Sequence, residues 1–331
     1  MRVLITGGTG FVGLNLAQAL LGHGHQVDFF DLREPPAPFM QAIGDARARV
    51  RVETGDVCNA SHIERVFGAG GITHVFHGAA ITPGPARESL APQQIIDVNL
   101  SATLAIVRAA AQAGVQRLLF PSSLTVYGEH LYGTAPLDEE TTPPVPDSLY
   151  AITKYAAERA ALKLGKAWGL DVIAGRIGAV FGPWEGNTQV RDLLSPFCQV
   201  AAAAARGKPA VLPEVYAPRE MIYSRDLADA LMLLLSAQRP AHKVYNLSVN
   251  ADWSGVLPQW CDMLQGRMPG FSWRYRSEAD IPTIHFPDNR PRTTLSTDRL
   301  RGDLHFSPQF TAAPALADYA GWLASHSSYF H

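Results

Sequence analysis

The segment ITGGTGFVGLNLAQAL, residues 5–20, is the most informative part of this chain of 331 residues for its fold. It places Gly7, Gly10 and Gly13 directly after a short apolar run and at the start of a segment rich in leucine and alanine. A strand that turns into a helix through glycines lets an anion approach the backbone closely, because no Cβ stands in the way. The anion accepts hydrogen bonds at the positive end of the helix dipole. The spacing therefore predicts a dinucleotide-binding turn.

Apolar runs and helix-like segments alternate through the first half of the chain. The predicted strands are RVLIT (2–6), QVDFF (26–30), RVRVET (49–54), THVFHG (73–78) and QRLLFPS (116–122). The predicted helices between them cover residues 11–24, 59–68 and 98–114. Strands that are apolar along their whole length are typical of a parallel sheet with helices on both faces. We therefore predict an α/β protein with a doubly wound parallel sheet of the Rossmann type.

Further cofactor contacts are expected where the later strands end. Phe11 and Val12 form the first turn of the helix after the glycine turn, where backbone N–H groups meet a diphosphate. Asp31 ends the second predicted strand, where a carboxylate accepts hydrogen bonds from ribose hydroxyls and repels a 2′-phosphate, so NAD is favoured over NADP. Asp56 and the adjacent Val57 follow the third strand and are expected near the adenine. The alternative for both aspartates is a solvated strand end or turn.

The regular alternation of predicted strands and helices ends near residue 180. The stretch 171–183 predicts one more strand and its exit loop, and beyond it proline, glycine and tryptophan become denser. A strand–helix unit at residues 220–237 is expected to return to the sheet. The predicted parts are an NAD-binding domain at residues 1–180, joined by residues 220–248, and a smaller substrate-binding α/β part over the carboxyl edge of the sheet, at residues 181–219 and 249–331.

Composition narrows the class of protein. Of the residues, 47% are hydrophobic and 18% are charged, and the net charge of -2 gives no basic footprint for nucleic acid or an anionic membrane. The three cysteines form no CxxC pair, which suits a reducing compartment, and the histidines show no zinc-binding spacing. The chain enters its first strand without a leader, and no apolar run approaches the length of a membrane helix. We expect a cytoplasmic protein without a metal site, a nucleic-acid partner or a membrane span.

A second motif, SLYAITKYAAER (148–159), carries chemistry. On a helix, Tyr150 and Lys154 lie on one face, one turn apart. A phenol has a reference pKa of about 10, so it is a poor base at neutral pH unless a cation stabilises the phenolate. A lysine one turn away, together with the positive nicotinamide ring of NAD, would supply that charge. We therefore expect Tyr150 and Lys154 to act together in proton transfer beside the cofactor.

Hydroxyl groups follow the fifth predicted strand in FPSSLTVYGE (120–129). Ser122, Ser123 and Thr125 lie there at the carboxyl edge of the sheet, where such sheets bind ligands. A serine opposite the tyrosine would hold the substrate oxygen and share its proton. The alternative is a polar turn between a strand and a loop.

These motifs together resemble the extended branch of the short-chain dehydrogenase/reductase superfamily, the NAD-dependent epimerase/dehydratase family. The segments that carry the resemblance run over nearly the whole chain: TGGTGFVG, Asp31, GDV, HGAA (77–80), DVN (97–99), SSLTVYG, YAITK, GRIGAVFGP and PREMIYSRDLA. The resemblance implies that Ser123 is the catalytic hydroxyl, that Tyr150 is the acid/base and that Lys154 tunes it. It implies an enzyme that exchanges hydride between NAD and a secondary alcohol.

The same resemblance implies further contacts with cofactor and substrate. Ala79, Ala80 and Asn99 correspond to segments that line the nicotinamide–ribose region. Arg219 stands where the family pairs an arginine with a substrate phosphate, and Arg292 lies in a late loop that often caps it. Guanidinium groups bind phosphates and carboxylates equally well, so the expected substrate is a small anionic or sugar-like molecule. Surface salt bridges are the alternative for both arginines.

An oligomeric state is implied by analogy as well. Small residues on the segments 101–113 and 156–167 allow close approach of two helices. The family commonly dimerises through the helices that match these segments, so a homodimer is expected.

Departures from the family pattern narrow the reaction. Leu124 and Thr125 stand where sugar 4,6-dehydratases carry an Asp–Glu pair, and Leu124 has no acid/base group. A dehydratase of that type is therefore not expected, and Thr125 is assigned to substrate binding instead. Ala179 stands where many nucleotide-sugar enzymes carry an asparagine that contacts the diphosphate of the substrate. This departure favours a smaller substrate.

Two reactions remain open. The first, which is our prediction, is an epimerase of a nucleotide sugar or related anionic sugar that keeps NAD bound, forms a transient ketone and returns the hydride. The second is an NAD-dependent dehydrogenase of a smaller sugar-like or hydroxy-acid alcohol, which releases NADH. A catalytically silent NAD-binding protein is a third class, against which the intact set of Ser123, Tyr150 and Lys154 argues.

Overall fold

The fold is built on a parallel sheet of seven strands. The computed structural model describes residues 1–213, 220–286 and 290–330. In chain order the strands are β1 (Arg2–Thr6), β2 (Gln26–Asp31), β3 (Val50–Thr54), β4 (His74–His77), β5 (Arg117–Ser123), β6 (Asp171–Ile177), β7 (Ala179–Phe181), β8 (Ala210–Leu212), β9 (Met221–Tyr223), β10 (Val244–Leu247) and β11 (Trp273–Tyr275). The central sheet has the order β10-β6-β5-β4-β1-β2-β3, and all its neighbouring strands are parallel. The predicted doubly wound α/β fold is therefore confirmed.

Helices connect the strands and cover the sheet. They are α1 (Phe11–Gly22), α2 (Ala37–Ala42), α3 (Ala60–Gly68), α4 (Pro85–Leu90), α5 (Pro92–Ile96), α6 (Ala102–Gln112), α7 (Leu149–Trp168), α8 (Pro196–Ala205), α9 (Ser224–Ser236), α10 (Val256–Arg267), α11 (Asp298–Leu304) and α12 (Ala312–Ser325). A π-helical turn, Asp97–Ser101, joins α5 to α6, and short 3₁₀ helices cover Gly44–Arg49, Leu124–Tyr132 and Ser327–Phe330. Successive side chains of a strand point to opposite faces, so Val3 and Ile5 enter the core with α1 and α9, while Leu4 enters the core with α3, α6 and α7.

The second half of the chain departs from one expectation. The strand predicted at residues 171–183 is two strands, because the chain leaves the sheet at Gly178 after β6 and continues as β7. β7 pairs with β9 in a separate ribbon, so the strand of the unit expected at residues 220–237 does not rejoin the central sheet. The position beside β6 is taken by β10, while α9 does return and packs against α1.

The C-terminal elements share a continuous hydrophobic core with one face of the sheet. This core includes residues of α1 and α9 together with residues of α8, α10 and α12. Trp184 is fully buried in it, between Phe39 and Trp322, and so lies in the core rather than facing a substrate. The division into an NAD-binding domain and a substrate-binding part stays a prediction.

The helical stretch Pro92–Gln112 has the length and composition of a membrane span, with 21 residues and a mean hydropathy of 1.2. Its apolar face is nevertheless packed, since Ile95, Ile106 and Val107 are buried. Length and composition are shared by core helices, and the packing against α7 is that of a core helix.

Candidate active site

The glycine turn between β1 and α1 leaves no room for side chains. Gly7 has a φ of 63°, and a Cβ there would lie 2.6 Å from the backbone nitrogen of Ala79. A Cβ on Gly13 would lie 2.6 Å from the carbonyl oxygen of Gly8. The N–H of Gly10 donates to the carbonyl of Gly7 at 3.1 Å, and Gly10 is the residue before α1. The turn thus packs against the end of β4 and exposes the helix N-terminus to ligand.

A cavity of about 640 Å³ opens at the carboxyl edge of the sheet, beside the point where the strand order reverses between β1 and β4. It brings together most of the residues that the sequence predicts for the site. These are Gly7, Gly10, Phe11, Val12, Gly13, Ala80, Ser123, Thr125, Tyr150, Lys154 and Arg292. The glycine cradle and the catalytic candidates therefore share one cavity, and these residues suit a dinucleotide.

Two predicted aspartates lie outside the lining of this cavity. Asp31, at the end of β2, accepts hydrogen bonds from the N–H groups of Thr9 at 2.9 Å and Leu32 at 2.7 Å. It thereby braces the glycine turn from the side. Asp56 accepts from the N–H of Cys58 at 2.8 Å within its own turn, and the side chain of Val57 is buried in the core. Their contacts with ribose and adenine stay predictions.

Asn99 is placed by the π-helical turn and is 1% exposed. Its side chain accepts from the N–H of Ile81 at 2.8 Å and donates to the carbonyl of Ile81 at 2.9 Å. These bonds fix the loop that follows β4 and carries Ala79 and Ala80 along the cavity. A π turn is a frequent device for presenting a functional side chain, and here it presents an amide that positions backbone. The predicted role of Asn99 beside nicotinamide stays a prediction.

Tyr150 lines the cavity together with Ser123 and Thr82. Ser148 caps α7 by accepting from the N–H of Ala151, which places Tyr150 in the first turn of that helix. Burial raises the pKa of Tyr150, while the two hydroxyl groups and the charge of Arg191 oppose that rise. The phenol is therefore protonated at neutral pH in the protein without its ligands.

The Ser123 hydroxyl faces a second hydroxyl as well. Its Oγ accepts hydrogen bonds from Oγ1 of Thr125 at 2.9 Å and from the Thr125 N–H at 3.2 Å. Thr125 thus lies beside the catalytic candidates and lines the cavity. The hydroxyl groups of Thr125 and Ser123 are hydrogen-bonded to each other in the cavity that Tyr150 also lines, which is an arrangement that can hold and share a proton.

Lys154 lies one turn further along α7 and is 4% exposed. Its Nζ lies 4.3 Å from the centre of the Phe120 ring. Burial lowers the pKa of Lys154 to about 7, and the charge of Glu158 only partly opposes this change. The tuning of Tyr150 by Lys154 stays a prediction.

A buried ion pair supports α7 behind Lys154, and sequence reasoning missed it. Arg176 of β6 donates to both carboxylate oxygens of Glu158, at 2.8 and 3.1 Å, and both side chains are buried. Arg176 also donates to the hydroxyl of Tyr127 at 3.0 Å, which in turn donates to Asn246 at 2.9 Å. The network ties α7 to β6 and β10. Because Glu158 is paired with Arg176, its negative charge supports Lys154 only weakly.

The residues predicted to bind the substrate include two arginines, and the described part of the chain contains one of them. Arg219 lies outside the described residues. Arg292 lines the cavity, with its guanidinium carbon 6.0 Å from the centre of the Tyr132 ring. Glu220, which the sequence analysis did not single out, also lines it, and burial raises the pKa of Glu220 to about 7. In the described part of the chain, no group of three or more His, Cys, Asp and Glu side chains is placed to hold a metal ion.

Comparison with known proteins identifies the protein family of this chain. The model of the NAD dependent epimerase/dehydratase family matches residues 3–248. A UDP-glucose 4-epimerase of Corynebacterium glutamicum is 30% identical over 324 residues, which are 94% of this chain and 92% of that protein. A dTDP-glucose 4,6-dehydratase of Streptomyces niveus is 26% identical over 344 residues, with 100% and 95% covered.

A solved structure of a similar protein agrees with this family assignment. MoeE5 in complex with UDP-glucose and NAD is 25% identical and superposes with a TM-score of 0.74 over 98% of this chain and 99% of that one. The chain belongs to the NAD-dependent epimerase/dehydratase family, in the extended branch of the short-chain dehydrogenase/reductases. Three expectations are thereby confirmed: the family itself, an enzyme of this type, and NAD as the cofactor.

Proposed function

We propose that the protein is an epimerase of a nucleotide sugar or a related anionic sugar, which oxidises one hydroxyl to a transient ketone and reduces it again. The observation that carries the proposal is that Ser123, Tyr150 and Lys154 line the same cavity as the glycine turn. The 30% identity to a UDP-glucose 4-epimerase over nearly the whole chain supports the reaction class.

The residues of the chain divide the proton chemistry. When bound, NAD would supply the hydride acceptor and, in its oxidised form, a positive charge near the phenol. Tyr150 takes the proton of the substrate hydroxyl as the carbonyl forms and returns it when the hydride comes back. Ser123 holds the substrate oxygen, and Lys154 and Arg191 favour the phenolate. The raised pKa of Tyr150 means that the phenol gives its proton readily only if these positive charges act together.

Loss of water from the sugar is not supported by the cavity. Leu124 lines it where the sugar 4,6-dehydratases carry an acid. An aliphatic side chain can neither protonate a leaving hydroxyl nor remove a proton from the neighbouring carbon. The neighbouring Thr125 binds Ser123 and is a neutral hydroxyl.

The second candidate is a dehydrogenase of a smaller sugar-like or hydroxy-acid alcohol. The observation that favours it is Ala179, which lines the cavity and stands where many nucleotide-sugar enzymes carry an asparagine. Without that amide, a substrate diphosphate has one hydrogen-bond donor fewer. The two reactions differ in the fate of the hydride, which the experiment below follows.

Assembly and location are part of the same proposal. The helices α6 and α7 pack against each other within the chain, and both coincide with the segments expected at a dimer interface. We propose that their outer faces form a homodimer and that the enzyme works in the cytoplasm. Analytical ultracentrifugation tests the dimer, and a monomer at micromolar concentration contradicts it.

The test begins with the protein as purified. It is denatured, the released NAD(H) is measured, and the untreated protein is then incubated with UDP-glucose with and without added NAD. An epimerase retains NAD in stoichiometric amount and forms the epimer without added NAD. An empty site together with release of NADH supports the dehydrogenase instead.

The variant Tyr150→Phe tests the role of the phenol. We expect a loss of turnover of about a thousandfold, the magnitude of a missing general acid/base, with cofactor binding retained. Tyr155→Phe is the matched control, because Tyr155 lies on the same helix but packs in a separate hydrophobic cluster. Equal turnover in Tyr150→Phe and the wild type would refute the assignment of the proton to Tyr150.

A further inference from the structure

A segment of chain that follows β7 lines one side of the cavity. We call residues 187–193 the strap. It is held against the loop after β4 by a bridge between Thr82 and Arg191, in which the N–H of Thr82 donates to the carbonyl of Val190 at 2.7 Å and the N–H of Asp192 donates to the carbonyl of Thr82 at 3.2 Å. The strap is therefore fixed against the loop whose Thr82 lines the cavity together with Tyr150.

The strap is anchored along its outer side as well. The carboxylate of Asp192 accepts from the N–H of Gly84 at 2.8 Å and pairs with Arg87 at 3.2 Å. Arg87 also donates to the carbonyl of Gln189 at 2.8 Å. At the other end, the guanidinium of Arg33 donates to the carbonyl of Thr188 at 2.8 Å. Arg87 and Arg33 thus bind the backbone and the Asp192 side chain of the strap. Arg191 is the arginine of the strap that lines the cavity.

The guanidinium of Arg191 is aimed by two contacts. Its Nε donates to the carbonyl of Leu193 at 2.9 Å, and its Nη1 lies 3.4 Å from the carboxylate of Glu185. Glu185 is fully buried, and its two oxygens already accept hydrogen bonds from the backbone and the hydroxyl of Ser195. Among the described residues, Nη2 of Arg191 makes no hydrogen bond. One edge of the guanidinium is thus held by the protein, and the other is left to a ligand.

The guanidinium lies between the two halves of the cavity. Its carbon is 5.9 Å from the centre of the Phe11 ring, and Phe11 is the first residue of α1 after the glycine turn. Its positive charge also reaches Tyr150 and opposes the rise of the pKa there. A planar fork of N–H groups beside a helix N-terminus suits phosphate oxygens, which bind such groups with short, charge-assisted hydrogen bonds.

We propose that Arg191 binds the diphosphate of the cofactor from the strap, opposite the glycine turn, so that the cofactor is held between α1 and the strap. The inference rests on the proposed function for the presence of NAD. It adds a cofactor contact from a residue far from the glycine turn in sequence.

The test compares ligands that differ in the diphosphate. Binding of NAD, ADP and adenosine to NAD-free protein is measured by calorimetry for the wild type, Arg191→Gln, Arg191→Lys and Arg87→Gln. We expect Arg191→Gln to bind NAD and ADP about tenfold or more weakly, with adenosine unchanged, since a charge-assisted hydrogen bond is lost. Arg191→Lys should lie between, and Arg87→Gln, which alters the strap but not the cavity, should bind like the wild type. Circular dichroism checks that each variant is folded.

Three results overturn the inference. One is unchanged affinity of Arg191→Gln for NAD and ADP. Another is unchanged NAD affinity with a raised KM for the sugar, which assigns the anion to the substrate. The third is an equal loss in Arg191→Gln and Arg87→Gln, which assigns the effect to the fold of the strap. Failure of the wild type to bind NAD is a separate outcome, because it contradicts the proposed function itself.

Discussion

Replacing the buried lysine of the site should stabilise the protein. Lys154 is 4% exposed, with its Nζ over the Phe120 ring at 4.3 Å, and burial lowers its pKa to about 7. A buried ammonium that loses water without a close carboxylate partner destabilises the folded state, because the charged form is better solvated in the unfolded chain. In Lys154→Met a side chain of similar length remains and the charge is removed.

The magnitude follows from the two pKa values. A lysine with a pKa of 10.5 in the unfolded chain and about 7 in the folded chain costs up to about 5 kcal/mol, at about 1.4 kcal/mol per pH unit, and about 4 kcal/mol at pH 7. Between these pH values the unfolded chain binds this proton and the folded chain does not. Raising the pH across that window therefore stabilises the wild type, and below pH 7 the full cost is present.

Urea unfolding of NAD-free protein between pH 6.5 and 9.5 measures the effect. At pH 6.5 to 7 we expect Lys154→Met to be more stable than the wild type by up to about 4 kcal/mol, less whatever the contact with the Phe120 ring contributed. Its stability should also depend less on pH. Lys163→Met is the matched control, because Lys163 lies on the same helix and is exposed. Equal pH slopes for Lys154→Met and the wild type would refute the reasoning.

Three further predictions concern residues that hold the elements around the cavity in place. Gly7→Ala forces a φ of 63° on alanine and a contact with the backbone after β4, so urea unfolding should show a loss of about 2 kcal/mol or more, with weaker NAD binding; normal binding and stability would contradict this. Asn99→Ala leaves the buried N–H and carbonyl of Ile81 without partners, which should lower the free energy of unfolding by about 2–4 kcal/mol and lower turnover. Unchanged stability and turnover would contradict this role of Asn99. Arg176→Met leaves Glu158 buried without its partner and should cost about 3–5 kcal/mol, whereas a neutral effect would contradict the importance of the pair.

The parts of the structure that could be predicted from the sequence are those that depend on residues close together in the chain. The glycine spacing after β1 requires a tight turn whatever the rest of the chain does, and the separation of Tyr150 from Lys154 needs only one helical turn. The seven-stranded sheet follows from apolar strands that alternate with helices. These patterns carry the fold, the cofactor and the catalytic candidates.

Contacts between distant segments could not be predicted in this way. Arg191 reaches the cavity because the strap bridges to Thr82, more than a hundred residues earlier in the chain, and nothing near Arg191 in the sequence indicates it. Thr82 does have a signal in the sequence, because it is a hydroxyl residue two positions after the HGAA segment at the end of β4.

The misplaced strand has a similar cause. GRIGAVFGP resembles one continuous strand, but the N–H of Gly178 donates to the carbonyl of Leu247 at 3.0 Å, at the point where the chain leaves the sheet. A Cβ at Gly178 would lie 3.0 Å from Oγ of Ser248, which shows how closely the two segments approach. Which strand lies beside β6 is decided by this long-range contact.

The central claim is that the hydride leaves the substrate and returns to it within one active site. The most direct measurement follows deuterium at C4 of UDP-glucose, the carbon that the name of the related 4-epimerase indicates. After incubation in ordinary water without added NAD, we expect UDP-galactose that retains the deuterium at C4. Deuterium recovered in released NADH, with a keto sugar as the product, would contradict internal return and assign the enzyme to the dehydrogenases.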